Sequence, residues 1–325
     1  MSGPVSDFPN GITSYGVPIM GNGVPATFGN VFFVDYRNGT DDGSNNGREK
    51  DAPLKTLSRA YALATSNNND VILIDGDSTV AETAMITWSK NRIHVIGLNG
   101  PMGHYGNGAK VSIGVTTAAT DIALLKVTGV RNTFSGIKFI SDNTVAEGLY
   151  TIADGGEYTK FFNCEFYKST DLDVAGASEF LHNGDSTQFY NCTFGSTANI
   201  IADNVIRPNV LLTATLAGKK CRDTYFENCI FWSKAGGTEH VAVYGANATD
   251  VERMLLMKDC TFLNNTLSAA TPAHAVGFGA AQTQGTVLLK NCTSVDHTVM
   301  AEAGVGIYVD GAVPTFATSG VSVTT

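Results

Sequence analysis

The chain has 325 residues, is 43% hydrophobic and carries a formal net charge of -9. That length and apolar content allow a large buried core, in one long domain or two ordinary ones. The acidic balance disfavours nucleic acid as a partner and an anionic membrane as a docking surface, and no apolar run is long enough to span a bilayer.

Residues 1–30 interleave six Gly and four Pro with Phe8, Ile12, Tyr15, Val17, Ile19, Met20, Val24 and Phe28. This is too apolar for a solvated linker and too rich in Pro and Gly for a helix. Two readings remain, an arm that wraps its own domain or, the one favoured, an extended attachment arm that orders on a partner. The opening has neither a basic start nor an apolar central run, so no secretory signal is expected and the cysteines are expected to stay thiols. Without secretion the N-x-T sequons at Asn38, Asn191, Asn247, Asn264 and Asn291 carry little weight.

Residues 31–34 read as a strand, followed by a Gly/Asp/Asn loop, a helix over about 54–65 and a strand over 71–74. Leu54, Leu57, Tyr61 and Ala64 give the helix an apolar stripe. Asp51 is placed to cap it, with Pro53 in its first turn.

From about residue 70 the pattern is short strands and turns, with one recurring phrase. Cys164, Cys192, Cys229, Cys260 and Cys292 each follow Asn or Asp (Asn163, Asn191, Asn228, Asp259, Asn291), and the first four have Phe two residues later. Their separations are 28, 37, 31 and 32 residues, and "TFSGIKF" fits one turn earlier, with Ile137 in the Cys slot. Such self-similarity marks a stacked repeat, and a unit of strands without a helix marks a β-solenoid. Its coils would stack at about 4.8 Å. The expected division is an arm over 1–30, the solenoid over 31–310 and a C-terminal strand or tail over 311–325.

Within a strand, residues i and i+2 share a face, so Cys and the following Phe are expected to point inward together. Asn tolerates the left-handed conformation of a sharp bend, and stacked amides could bond as an asparagine ladder. Zinc would need converging ligands, usually from C-x₂₋₄-C pairs, which are lacking. Stacked cysteines whose Cβ vectors run parallel suit a disulfide poorly. Cys221 lies outside the pattern, which does not fix its direction.

The segment from Phe32 to Val80 resembles the opening of the pectate-lyase-like superfamily. The matching residues are Gly39, Asp41, Gly43, Pro53, Lys55, Thr56, Leu57, Asp70 and Gly76, and "RIHVIGLNG" resembles an early coil. The resemblance implies an all-β, single-stranded right-handed parallel β-helix with an N-terminal capping helix and an extended N-terminal arm. Lyases of that superfamily use Ca²⁺ on acidic clusters plus an Arg or Lys base, and its glycosidases use paired carboxylates. The acidic groupings here are Asp41/Asp42, Asp154/Glu157, Asp171/Asp173, Asp223/Glu227 and Glu239. None recurs at one strand position in neighbouring coils, so solvated turn residues are expected. Asp171 and Asp173 are the least poor catalytic candidates. His240 and His274 occupy equivalent places in their phrases, which would allow them to stack, and a surface pair is expected rather than a metal site or pH switch. Tyr167 and Trp232 match in position and are expected to pack against a loop or another subunit.

With no carboxylate cleft visible, the expectation is a non-enzymatic protein without cofactor or metal. "SDFPNGITSYGVPIMG" resembles openings of bacteriophage structural proteins. That resemblance implies a virion surface protein, a capsid decoration or head fibre. It would be a homotrimer held on a capsid or tail protein by the arm residues Phe8, Ile12, Tyr15, Val17, Ile19, Met20 and Phe28, with host-surface glycan as a further partner. The alternative is a tail spike or other polysaccharide-degrading or glycan-binding β-helix, acting as lyase or glycosidase.

Overall fold

The repeat phrase sets the register of three parallel sheets, seen here in a computed structural model. The described residues are 29–76, 79–98, 108–114, 122–142, 148–169, 174–196, 206–213, 220–235, 237–265 and 271–310, with the backbone of 13–14 and 17–18. Thr13–Ser14 and Val17–Pro18 pair antiparallel. The arm side chains Phe8, Ile12, Tyr15, Val17, Ile19, Met20 and Phe28 lie outside that description, as do residues 311–325.

From Asp70 onward each coil contributes one strand to each sheet in turn, so a hydrogen-bonded neighbour is the strand three further along the chain, whereas Val31–Val34 pairs with the next strand, Asp70–Ile74. Sheet I includes Val31–Val34, Asp70–Ile74, Ile93–Gly97, Thr133–Ser135, Lys160–Phe162, Gln188–Tyr190, Cys221–Glu227 and Val251–Lys258. Sheet II includes Thr79–Glu82, Ile137–Ser141, Glu165–Lys168 and Ile230–Ser233, and sheet III includes Tyr150–Asp154, Ser178–His182 and Val243–Gly245. The result is a parallel β-helix, in which each coil satisfies the backbone edge of the one before.

Strand alternation sends one residue of each coil onto the next inside the prism. In sheet I this column runs Ile72, Val95, Phe134, Phe161, Phe189, Phe226, Met257 and Leu289. In sheet II it runs Val111, Phe139, Phe166, Phe194, Phe231 and Phe262. Rings stack along both columns, with centroids 4.4 Å apart for Phe189–Phe226 and 5.0 Å for Phe194–Phe231. Phe180 of sheet III meets Phe161 and Phe189 edge-on at 5.4 and 5.1 Å.

The bend from sheet I to sheet II explains the phrase. Asn163, Asn191, Asn228, Asp259 and Asn291 all have φ between 49° and 53°, and Gly136 takes the same slot one coil earlier with φ 67°. The left-handed region is open to Gly and tolerated by Asn and Asp. The Asn228 side chain donates to Asn191 (2.7 Å), and that of Asn291 donates to Asp259 (2.5 Å). All six cysteines are free thiols, five of them buried. Cys221 also faces inward, 3.0 Å from the His182 carbonyl. Asn228→Ala is expected to lower stability by about 1–2 kcal/mol, because Ala is strained at positive φ, whereas Asn228→Gly keeps the turn. Urea midpoints of the two variants check this.

The helix is shorter than the periodicity suggests, Leu57–Leu63, and its N-cap is Thr56 rather than Asp51. Thr56 Oγ1 accepts from the Arg59 amide at 3.2 Å. Asp41 accepts from the Thr56 hydroxyl (2.7 Å) and the Lys55 amide (2.8 Å), so the loop carboxylate braces the cap. Buried Glu82 accepts from the Leu57 amide at 2.8 Å, and burial raises its pKa. At the other end Lys90 Nζ donates to the carbonyls of Tyr61, Ala62 and Ala64. Tyr61 stacks on Trp88 at 4.2 Å and so fixes the helix across the first coils.

Candidate functional site

A second row of left-handed residues stands at the entrance to sheet I. Asn69, Arg92, Arg131, Tyr158 and Ser186 have φ values between 54° and 59°. Each lies two residues before a position in the register Val71, His94, Thr133, Lys160 and Gln188. Their amides bridge coils: Arg92 N donates to Val130 O (3.0 Å), Arg131 N to Glu157 O and Tyr158 N to Asp185 O (both 2.8 Å). Arg and Tyr carry a cost of about 1 kcal/mol each at positive φ, and strain of this kind concentrates at functional sites.

This row and the first outward row of sheet I enclose a groove of about 480 Å³, lined by Asn69, Arg92, His94, Arg131, Thr133, Tyr158 and Lys160. Tyr158 is 49% exposed, and the Arg131 guanidinium lies 5.7 Å from its ring centroid. Several cations elsewhere on the surface are paired. Arg222 meets Glu252 (2.7 Å) and Asp185 (3.4 Å), Lys258 meets Glu227 (2.5 Å), and Lys138 meets Glu165 (3.0 Å). Among the described residues Arg92, Arg131 and Lys160 make no ion pair, and no carboxylate lines the groove. On a chain of net charge -9, a positive groove of this kind concentrates anions. His94 lies in it, only 3% exposed. Burial holds its pKa down to about 4, so the ring is neutral at pH 7.

Two polar networks lie inside the prism instead. At the inward column of sheet III, where neighbouring coils carry Val127 and Leu212, Asp154 Oδ2 lies 3.1 Å from His182 Nδ1, and His182 Nε2 lies 2.8 Å from Thr224 Oγ1. The order carboxylate, imidazole, hydroxyl is that of a nucleophilic triad. Asp154 and His182 are 0% exposed and Thr224 1%, so the network has no access to substrate and serves to tie three coils together. Asp154 is therefore a core residue, not the solvated turn carboxylate that its sequence context suggests.

The second network sits where sheet II passes to sheet III. Lys168 Nζ donates to Gly148 O at 2.6 Å, and burial, followed by the Arg207 charge, brings its pKa down to about 8. Glu179 lies 3.8 Å from Arg207, and burial raises its pKa. His240 is bonded to Arg207 O (3.0 Å) and to the Ser233 hydroxyl (2.6 Å), and burial lowers its pKa to about 3 from the usual 6.5. The unfolded chain takes up this proton near pH 6.5 and the folded chain near 3. The stability supplied by the neutral ring is thus complete above pH 6.5 and is lost as the pH falls towards 3. Between pH 6.5 and 4 that loss is on the order of 3 kcal/mol. Denaturation at several pH values is expected to show a shallower acid loss in His240→Gln than in the natural protein.

Asp171 and Asp173 lie outside the described residues. The phrase residues Asn163, Asn191, Asn228, Asp259 and Asn291 hold bends, and their cysteines hold core. His240 and His274 do not stack: Val243 pairs with Val276, which puts them one residue out of register. His240 is buried, while His274 sits 3.6 Å from Glu302. Tyr167 and Trp232 do align, through Gly195, and Lys138 lies 5.2 Å from the Tyr167 ring centroid. Among the described residues no group of three or more His, Cys, Asp or Glu could hold a metal ion. The calcium arrangement implied by the superfamily does not fit the groove, since Ca²⁺ needs oxygen ligands and the charged lining is cationic.

No family model and no curated protein matches the chain. Among solved structures, pectate lyase Pel9A matches with a TM-score of 0.54 at 15% identity, over 81% of this chain and 62% of that one. The chain thus spans less than two thirds of the length of that lyase. Pectin methylesterase PemA from Erwinia chrysanthemi matches with a TM-score of 0.49 at 14% identity, over 86% of this chain and 82% of that one. A rhamnogalacturonan lyase matches with a TM-score of 0.45 at 14% identity, over 82% and 74%. The expectation of a non-enzymatic protein is corrected here, because the solved fold that matches at 0.54 is that of an enzyme. The chain folds as a pectate-lyase-like right-handed parallel β-helix.

Proposed function

We propose that the chain is a polysaccharide-processing β-helix whose groove on sheet I takes an anionic glycan. The observation that carries this reading is the set of three cations, Arg92, Arg131 and Lys160, that make no ion pair among the described residues and surround exposed Tyr158. Guanidinium and ammonium groups bind sugar carboxylates by charge-assisted hydrogen bonds. Tyr158 offers a ring face to the apolar side of a pyranose, and Asn69 and Thr133 offer partners for hydroxyls. The fold shared with a pectate lyase supports the same substrate class.

The lining suits elimination better than hydrolysis. A glycosidase needs two carboxylates across the scissile bond, and the groove presents none among the described residues. In a β-elimination a base takes the proton from the carbon beside the uronate carboxylate, a C=C bond forms, and the glycosidic C–O bond breaks with its oxygen protonated by water. A cation on the carboxylate stabilises the charge that develops. Arg131 and Lys160 are assigned that electrostatic role. The test is incubation with polygalacturonate, with neutral dextran as control. Binding of the acidic polymer alone, with appearance of unsaturated-uronate absorbance, is expected. Binding of neither polymer, or of both equally, contradicts the reading. The virion location expected from the sequence would combine with it as a tail spike, tested by the chain's copy number in a purified particle.

A further inference from the structure

We propose that His94 is the specificity contact of the groove, reading a carboxylate together with an adjacent hydroxyl, so that the site takes a sugar acid rather than a simple polyanion. This rests on the glycan-binding reading of the groove. The buried histidines differ in their partners. His182 and His240 each have both ring nitrogens bonded, at 3.1 and 2.8 Å and at 3.0 and 2.6 Å. His94 is 3% exposed, yet neither its Nδ1 nor its Nε2 has a partner among the described residues.

A buried donor or acceptor without a partner is destabilising. Nothing in the strand demands a polar residue there, because the same register position one coil earlier is Val71 and the next is Thr133. The unpaired ring lines the groove beside Arg92, Arg131 and Lys160, so a ligand held by those cations is the available source of partners. The long side chains of these three residues can turn towards an anion and open the ring to it.

The imidazole is neutral at pH 7 and so presents one N–H donor and one acceptor nitrogen. A fully ionised phosphate chain offers acceptors alone, and the second ring nitrogen would face another lone pair. A sugar acid satisfies both nitrogens, with its carboxylate accepting from N–H and a neighbouring hydroxyl donating to the other. The cations thus supply attraction for any anion, and His94 supplies the distinction between anions.

The experiment is calorimetric titration of the full chain with trigalacturonate and, separately, with inorganic tripolyphosphate, for the natural protein and for His94→Val and His94→Gln. His94→Val is expected to weaken trigalacturonate binding about tenfold, as for one lost hydrogen-bonded contact. It should leave tripolyphosphate binding unchanged, and the variant should melt no lower than the natural protein. His94→Gln, which keeps a donor and an acceptor, is expected to recover most of the affinity. Unchanged trigalacturonate binding in His94→Val overturns the inference and leaves the groove reading standing, as does equal loss of both ligands. Failure of the natural protein to bind trigalacturonate overturns both.

Discussion

Replacing Arg131 and Lys160 together by alanine is expected to weaken binding of polygalacturonate by roughly 100-fold, with the fold intact. A hydrogen bond to a charged group is worth about 1.5–3 kcal/mol, and roughly 2.7 kcal/mol is already a factor of 100. Neither side chain is tied into an ion pair among the described residues, so their removal leaves no carboxylate stranded. Arg131 also leaves a left-handed position, φ 59°, where Ala is no worse placed than Arg. The residual affinity should depend less on salt than that of the natural protein, since exposed charge interactions are screened. Lys258→Ala is the control, because that lysine is paired with Glu227 at 2.5 Å and lies outside the groove. Titration at two salt concentrations measures all of these outcomes, and equal affinities for the double variant and the control would remove the cations from recognition.

Phe189→Ala is expected to have the largest effect on stability, a loss of about 3–5 kcal/mol. Phe189 is fully buried and touches rings on four sides. Phe161 stacks at 5.2 Å and Phe226 at 4.4 Å, while Phe180 and Phe194 meet it edge-on at 5.1 and 5.5 Å. Truncation opens a cavity between coils that a rigid backbone ladder cannot collapse. Because each coil contacts mainly its neighbours, a solenoid is quasi-one-dimensional, and damage at its middle weakens coupling between its ends. Urea denaturation is expected to show a lower midpoint, with hydrogen-exchange protection falling first in the strands around Gln188–Tyr190. A midpoint unchanged from the natural protein would contradict the packing described.

The coil repeat was legible because its signals are local. Asn before Cys announces a left-handed bend, and Phe three before and two after the Cys announces an inward column. The groove was hidden because Arg92, Arg131 and Tyr158 are not residue types that signal positive φ. They also lie 39 and 27 residues apart, so only the register brings them together. A usable signal existed: each stands three residues before an inward sheet I position, Val95, Phe134 and Phe161. The helix cap was misplaced because Asp41, 15 residues before Thr56, supplies the bracing carboxylate. Asp154 was misread because its partner His182 belongs to the next coil. The spacing of His240 and His274 failed for a related reason, since local phrases resemble each other while the register slips by one residue.

An acidic glycan is expected to lie across sheet I at the left-handed row. A crystal structure of the chain with a bound oligogalacturonate tests it most directly. The expected result places sugar carboxylates on Arg92, Arg131 and Lys160, a pyranose face on Tyr158, and a carboxylate with its neighbouring hydroxyl on His94. An oligosaccharide seated on sheet II or sheet III, with the groove on sheet I left free, would contradict it.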